Sequence, residues 1–516
     1  MISSSSPAAS VEQTASNSNS YGEILKASAL IGASTLFKLV IGLVRTKATA
    51  VWLGPTGFGL LGMYSSIVEL GQILTGMGVD GSGVRQVAAA VSVGDEDRIA
   101  RAVAALRKAV LLLGLIGAAT LAVFAGPVSK FTFGDNDHAA AVRMLSPVLL
   151  FTCLSGGQTA LIQGMRRIGD LVKVGIAGAI VGAIVGLPFI YMLREQGIVL
   201  SLVFSSATSL AVSWWYSRKI RIQTRKMSFA ETRDEAAELL TMGVALMAGS
   251  LMLAGSSYVV RLFILRHLGL EAAGLYQAAW SLGSIYVGII LNSVGTDFYP
   301  RVVAVASDNS ACNRLVNEQT LAGVLLAGPG VLATLTLAPL VLSLLYAPEF
   351  REAVDLLRWL CLGMALRVLS WPMGYLVISK GARRLFFWSE LVWYIAYVAL
   401  TYVCLSAFGL NGAGIAFFVA YALHVPLVYG LVRYLSGFRY SSESWNLSIL
   451  YMSIIVLQFS AHHFLSNRIA TAIGLVILTA ASLYSFRYLI NLAVPAAIPR
   501  PILSMLQRIG LIRAAG

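Results

Sequence analysis

The sequence predicts an all-α polytopic membrane protein: two six-helix lobes related by a parallel internal repeat, plus two C-terminal transmembrane helices, about 14 spans in all. Three observations predict it. The 516-residue chain is 57% hydrophobic and only 12% charged, which leaves too few polar side chains to cover a soluble globule of this size. Apolar runs of about 20 residues, the length that crosses a hydrocarbon core, recur along the chain with short polar breaks. A likeness between segments also returns at a spacing of about 215 residues. Helices follow because in lipid every backbone polar group must be satisfied within the chain, and the short alternating segments of a membrane barrel are absent from the sequence.

Residues 1–22 are rich in Ser and Asn and carry no Lys or Arg ahead of an apolar core, so they read as a disordered cytoplasmic tail rather than a signal peptide. An N-lobe over 23–217 follows, with apolar spans at 24–51, 58–79, 99–125, 140–165, 171–193 and 198–216. A basic cytoplasmic linker, 218–234, leads to a C-lobe over 235–435 with spans at 237–265, 272–294, 321–346, 353–378, 385–407 and 410–432. Residues 436–492 add spans at 447–465 and 469–490. In the tail, 493–516, Arg500, Arg508 and Arg513 alternate with apolar residues, the pattern of an amphipathic segment lying on a membrane surface.

The net charge of +14 is concentrated in alternate loops. One set holds Arg85, Arg98 and Arg101, then Arg166, Arg167 and Lys173, then Arg218, Lys219, Arg221, Arg225 and Lys226, then Lys380, Arg383 and Arg384; the other has only scattered cations such as Lys130, Arg194 and Arg351. The positive-inside rule places both termini in the cytoplasm, and a nucleic-acid surface is not needed to explain the charge. Cys153, Cys312, Cys361 and Cys404 lack metal or redox spacing and read as packing residues.

The repeat aligns LGPTGFGLLGMYSSIVELGQ onward to GVRQVA, within 53–88, with LGLEAAGLYQAAWSLGSIYVG onward to YPRVVA, within 268–304. It pairs Arg45 with Arg261, Arg85 with Arg301, FGDNDHAAAVRML with YAPEFREAVDLLRWL, and QGMRR with SKGARR. Six spans per copy is an even number, so both copies face the same way.

Cations inside apolar spans are costly, about 2.5–3.5 kcal/mol each on insertion scales, and so mark candidate sites. Lys38 and Arg45 are two helical turns apart on one face, while Lys47 points elsewhere, toward an interface where its ammonium can snorkel. Lys38 and Glu69 stand at similar distances from the turn near Gly54. Either they form a structural ion pair, or Lys38 binds an anion while Glu69 titrates. Arg261, at the repeat position of Arg45, either faces the same anion from the second lobe or anchors at headgroups beside Arg266 and His267. Arg367 lies deep in the tenth span beside Trp371, with Asp355 and Arg358 forming a local i,i+3 pair nearer its start. The candidate substrate-binding set is therefore Lys38, Arg45, Arg261, Lys47 and Arg367, and an anionic ligand suits it.

Glu69 and Glu390 are the ion-coupling candidates, with His424 as either a proton relay or a packed histidine. The stretch GMGVDGSG, 76–83, reads as the end of the second helix with a re-entrant turn, since no strand precedes it as a phosphate loop requires. His462 and His463 are adjacent and fall on different helix faces, which argues against shared metal ligation. No catalytic motif or loop large enough for a catalytic domain is present in the sequence, so no enzyme, metal site or cofactor is expected.

On the segment KASALIGASTLFKLVIGLVRTKATAVWLGPTGFGLLG, 26–62, and on both repeats to about residue 433, the chain resembles the Wzx-type O-antigen and enterobacterial common antigen lipid-linked oligosaccharide flippases. These form a polysaccharide-transporter branch of the multidrug/oligosaccharidyl-lipid/polysaccharide exporter superfamily. The Leu-Gly-Pro-x-Gly-x-Gly-Leu turn at 53–60 is its most specific signal, and Lys38 and Lys47 fall where that branch also has lysines. The resemblance implies two lobes in a V, a cationic central cavity, and transport of an undecaprenyl-diphosphate-linked oligosaccharide across a bacterial inner membrane for surface polysaccharide biosynthesis. It implies the lipid-linked substrate and bilayer as partners, with a polysaccharide polymerase and a chain-length regulator as candidate partners. The last two spans depart from the family's twelve-span members. A drug/cation antiporter of the same superfamily is the alternative, and a membrane glycosyltransferase or polymerase a more distant one.

Overall fold

The computed structural model describes residues 8–222 and 229–492, and among these every regular element is helical, with no strand. The chain runs through α1 (Ala8–Gly76), α2 (Val79–Val93), α3 (Glu96–Val123), α4 (Ala125–Thr132), α5 (Ala139–Met144), α6 (Ser146–Gly164), α7 (Ile168–Leu193) and α8 (Gly197–Ser217). It continues through α9 (Phe229–Ala304), α10 (Asn309–Thr336), α11 (Ala338–Leu345), α12 (Val354–Ser379), α13 (Arg383–Phe408), α14 (Asn411–Ser436), α15 (Ser442–Phe464) and α16 (Asn467–Leu492). Ten helical stretches among the described residues are long and apolar enough to cross a membrane. Only 22% of the apolar window of Ile168–Ser217 and 17% of that of Arg233–Ser293 is buried, so lipid must cover the rest. This is a multi-pass membrane protein.

The breaks have local causes. At Gly54 the backbone adopts φ 63°, ψ −175°, a region open only to glycine, and Pro55 starts the next limb where its missing N–H is not needed. The Trp52 carbonyl at this break accepts a hydrogen bond from Arg194 Nη1 at 2.8 Å. A matching break lies 215 residues on, at Gly269 with φ 88°, ψ 179°. Left-handed residues recur at the same offset: Arg166 with Gly381, and Arg194 with Gly409. Asp95 and Asp308 each cap the start of a 28-residue helix, α3 and α10, 213 residues apart. The segment GMGVDGSG ends α1 and turns through left-handed Met77 and Gly78 into α2, as its glycines foretold.

Two expectations need correction. Residues 8–22 are helical, continuous with α1, because no glycine or proline interrupts 8–21; residues 1–7 lie outside the described residues. The span expected at 140–165 is one stretch, Ala139–Gly164, with a helical backbone through Leu145, but that expected at 321–346 divides at Leu337, ahead of Pro339. Parts of the expected linker and all of the expected tail, 223–228 and 493–516, lie outside the described residues.

The chain forms two compact units, one comprising the residues up to Gly57 with Met63–Gly255, the other Phe58–Gly62 with the chain from Ser256 onward. The boundary falls beyond the linker because the first limb of α9 packs on α2. A Cβ on Gly78 would stand 2.2 Å from the Gly243 carbonyl oxygen, and one on Gly243 2.3 Å from the Met77 carbonyl oxygen, so glycine at both sites permits the approach. Glu235 adds a hydrogen bond from Gln86 Nε2 at 2.5 Å and an ion pair with Arg101 at 3.7 Å. Phe58 joins the second unit edge-on to Tyr346 and Phe350, with ring centroids 5.5 and 5.7 Å away.

The first unit's core gathers Val103, Leu106 and Val110 of α3 with Leu161 and Ile162 of α6. The second gathers Val316, Met373, Leu376, Val428, Val432 and Phe438. Helices α15 and α16 dock on α10 and α12 of this unit, and Tyr451 fills the space beside Gly328, where a Cβ would stand 2.3 Å from the ring.

Candidate functional site

The first limb of α1 carries Lys38, Arg45 and Lys47 on an uninterrupted helix. Lys38 is exposed and Glu69 is exposed, and no ion pair joins them, which overturns the structural-pair expectation. Lys38 leans instead along α7 over Gly175, its Nζ 3.4 Å from where a Cβ of that glycine would stand. The absent side chain makes the room that draws the lysine away from the second limb of α1. Arg45 is half-buried, and its guanidinium has no hydrogen bond or ion pair among the described residues; only its backbone carbonyl is engaged, by Thr49 Oγ1 at 3.0 Å. Lys47 is half-buried and makes an interaction of its own.

Arg261 differs from its repeat counterpart. It is buried, its Nε donates to Gln277 Oε1 at 2.9 Å and its Nη1 to Ser257 Oγ at 2.6 Å, so it ties the two limbs of α9 together. Burial removes the headgroup-anchor alternative. Sequence alignment paired the two arginines but could not show that one finds acceptors and the other does not, because Ser257 and Gln277 become neighbours only when α9 folds back at Gly269.

Helices α12, α13 and α14 bring together Arg367, Glu390 and His424. His424 Nε2 lies 3.8 Å from Glu390 Oε1, too far for a hydrogen bond, and both ring nitrogens of this buried histidine lack a hydrogen-bond partner. The rings of Trp393 and Tyr421 flank it at 5.6 and 5.8 Å. Arg367 is half-buried, its nearest polar contact is Met364 Sδ at 4.0 Å, and its charge reaches the hydroxyls of Tyr394 and Tyr421, as does that of Glu390. The aromatic members of this cluster were not singled out in the sequence; their signal is only an i, i+4 spacing of rings within apolar spans.

In the first unit a cavity of about 380 Å³ opens beside the break between α1 and α2, lined by Gln72, Asp80, Thr152, Cys153 and Ser250 among others. Asp80, whose Oδ1 accepts the Gly81 N–H at 2.9 Å, is its carboxylate. The expected Asp355–Arg358 pair forms at 3.0 Å, but Arg358 also donates to His462 Nδ1 at 2.9 Å and Asn467 Oδ1 at 3.3 Å, joining α12 to the last two helices. His462 is buried and His463 exposed, as their opposed faces require.

Residues 50–355 match the family described as polysaccharide biosynthesis protein. The chain belongs to that family. Within the polysaccharide biosynthesis proteins and their kin, it is similar to the lipid III flippase of Escherichia coli K12, 23% identical over 79% of this chain and 98% of the relative. A putative O-antigen transporter of Shigella flexneri is 21% identical over 73% and 90%. Among solved structures, the inward closed conformation of the lipid II flippase MurJ superposes with a TM-score of 0.64 at 11% identity, covering 90% of this chain and all of that one. An inward-facing multidrug resistance transporter of the MATE family has the same TM-score at 15% identity, covering 78% and 96%. These likenesses establish that the chain shares the fold of these two proteins.

Proposed function

We propose that this protein flips an undecaprenyl-diphosphate-linked oligosaccharide across a bacterial inner membrane, by alternating access between two six-helix lobes with both termini cytoplasmic, and that it is not an enzyme. The observation that carries the reading is the pair of unneutralised cations two turns apart on one helix, Lys38 and the unpartnered half-buried Arg45, in a chain whose relatives are named lipid III flippase and O-antigen transporter. A diphosphate cannot cross about 30 Å of hydrocarbon unaided, and a guanidinium without an internal acceptor is suited to supply two parallel hydrogen bonds to it. The polyprenyl tail stays in lipid. Lys47 contributes charge near the end of the limb, Arg261 holds the two limbs of α9 in register, and Arg367 is the second-unit cation open to a ligand. Coupling to an ion gradient belongs to Glu69 and to Glu390, the latter acting with His424, whose two ring nitrogens have no hydrogen-bond partner among the described residues and one of which lies 3.8 Å from the Glu390 carboxylate.

The test is reconstitution of the purified protein with lipid-linked oligosaccharide and an assay of which leaflet holds it. A Lys38→Ala, Arg45→Ala double variant should lose at least nine-tenths of the flipping rate at unchanged abundance and Tm; full activity would remove these cations from the head-group site. Incorporation of labelled sugar by the purified protein would revive a transferase. Transport of cationic dyes in preference to the lipid diphosphate would favour the antiporter, with Asp80 in its cavity as the first residue to neutralise.

A further inference from the structure

A second cavity in the first unit, about 480 Å³, lies between α3 and α8 over a floor supplied by α6. Its wall is apolar at Val103, Leu111 and Leu161 and turns polar at one end, where Arg107, Gln158 and Arg218 line it; no carboxylate does. Neither arginine is paired with an acid among the described residues. Arg218 stacks over Trp215 at 3.8 Å and Trp214 at 5.0 Å, and Arg107 has no polar partner. The Ser217 hydroxyl donates to Gln158 Oε1, and the Gln158 amide N–H groups have no acceptor among the described residues. The polar end stands at interfacial depth: the uninterrupted apolar run of α3 starts two residues after Arg107, and Trp214 and Trp215 close α8.

In the first unit Ile220 and Ile222, which follow α8, pack against part of this wall, and the second unit fills the comparable groove with larger side chains. At the offsets fixed by the matching caps and breaks, Val103, Leu161 and Trp214 correspond to Val316, Leu376 and Tyr429. There, Phe438 and Tyr440, which follow α14, pack into the cluster of Val316, Met373, Leu376 and Val432, and Phe438 is fully buried. The residues that correspond to Gln158 and Ser217 are Met373 and Val432, and Arg107 corresponds to Thr320. Arg218 has an arginine counterpart, Arg433, but the filled groove lacks the cation of Arg107 and the polar groups of Gln158 and Ser217.

We propose that this groove is a binding site for an anionic glycerophospholipid of the bilayer, its phosphate held by Arg107, Arg218 and the Gln158 amide, and an acyl chain laid along Leu111 and Leu154. Charge-assisted hydrogen bonds select the head, and the apolar wall takes the chain.

Native mass spectrometry of the full-length protein, titrated with phosphatidylglycerol or phosphatidylcholine, tests it. The wild type should bind one phosphatidylglycerol at least tenfold more tightly than phosphatidylcholine. An Arg107→Thr, Arg218→Gln variant with unchanged Tm should lose that preference, and Gln158→Met, which leaves the charges in place, should weaken it severalfold. Equal affinity for the two lipids, or an unchanged preference in a folded double variant, would overturn the proposal. So would displacement of phosphatidylglycerol by a substoichiometric polyprenyl diphosphate, which would assign the groove to the transported class instead.

Discussion

Glycine 59 shows how much one missing methyl group decides: a Cβ there would stand 2.1 Å from the Leu270 carbonyl oxygen, and backbone cannot move aside as a flexible side chain can. Gly59→Val should therefore lower stability by about 1–3 kcal/mol or more, read as a fall in Tm of the detergent-purified protein, whereas Gly42→Val, with open space around the Cβ position, should change Tm little. Equal effects of the two would deny the close approach. The turn LGPTGFG was legible as a turn from sequence. That Gly54 serves backbone conformation and Gly59 serves proximity was not, since the second depends on a segment more than 200 residues away. The cations divide in the same way. Lys38 and Arg45 were identifiable because charge inside an apolar run is conspicuous, but the fate of each depends on what the fold sets beside it, a vacant glycine for one and no acceptor at all for the other.

Helices in this chain start and stop where local chemistry says they should, and the two long transmembrane helices α3 and α10 start alike. Asp95 accepts the Arg98 N–H at 3.1 Å, and Asp308 accepts those of Ser310 and Ala311 at 2.8 and 3.1 Å. The Ala311 N–H, together with the hydroxyl and N–H of Ser310, holds the Asp308 carboxyl below its ordinary 3.8. A folded-state value depressed in this way contributes stability that is present above the unfolded value and is lost as pH falls through the folded one. Asp308→Ala should therefore lower Tm by an amount that stays constant near neutrality and shrinks below pH 3.8, and a pH-independent gap would show that the carboxylate's charge is immaterial. Asp95→Ala should cost about 0.5–2 kcal/mol at neutral pH. Element type and order were readable from the length of apolar runs. The division at Leu337 was missed because apolarity continues through it, and only the following Pro339 marks that the backbone must restart.

At the scale of the whole molecule, the last two helices convert a lipid-facing surface into a core. The apolar windows of α10 and of the stretch containing α12 are each 61% buried, against 33% for α3 and 22% for the stretch containing α6, their counterparts by length and capping. The difference comes from α15 and α16, whose Tyr451 occupies the hollow beside Gly328 and donates from its hydroxyl to the Ala481 carbonyl at 3.1 Å. His462 accepts from Arg358 through Nδ1, so that nitrogen must be bare, and the buried guanidinium has one exposed carboxylate, Asp355, for its charge. Ending the chain after Ser436 would strip Phe438, Tyr451 and His462 together, exposing apolar surface shaped for protein and leaving Arg358 with Asp355 alone. The truncated protein should be recovered in low yield or melt at least 10 °C lower, in contrast to the indifference expected of a dispensable appendage. Because low yield has many causes, the finer measurement is a double-mutant cycle. Arg358→Met and His462→Phe should each destabilise the full chain, and the double variant should cost about 0.5–3 kcal/mol less than the sum of the two, since one contact is removed twice. Strict additivity would mean that the 2.9 Å contact carries no free energy.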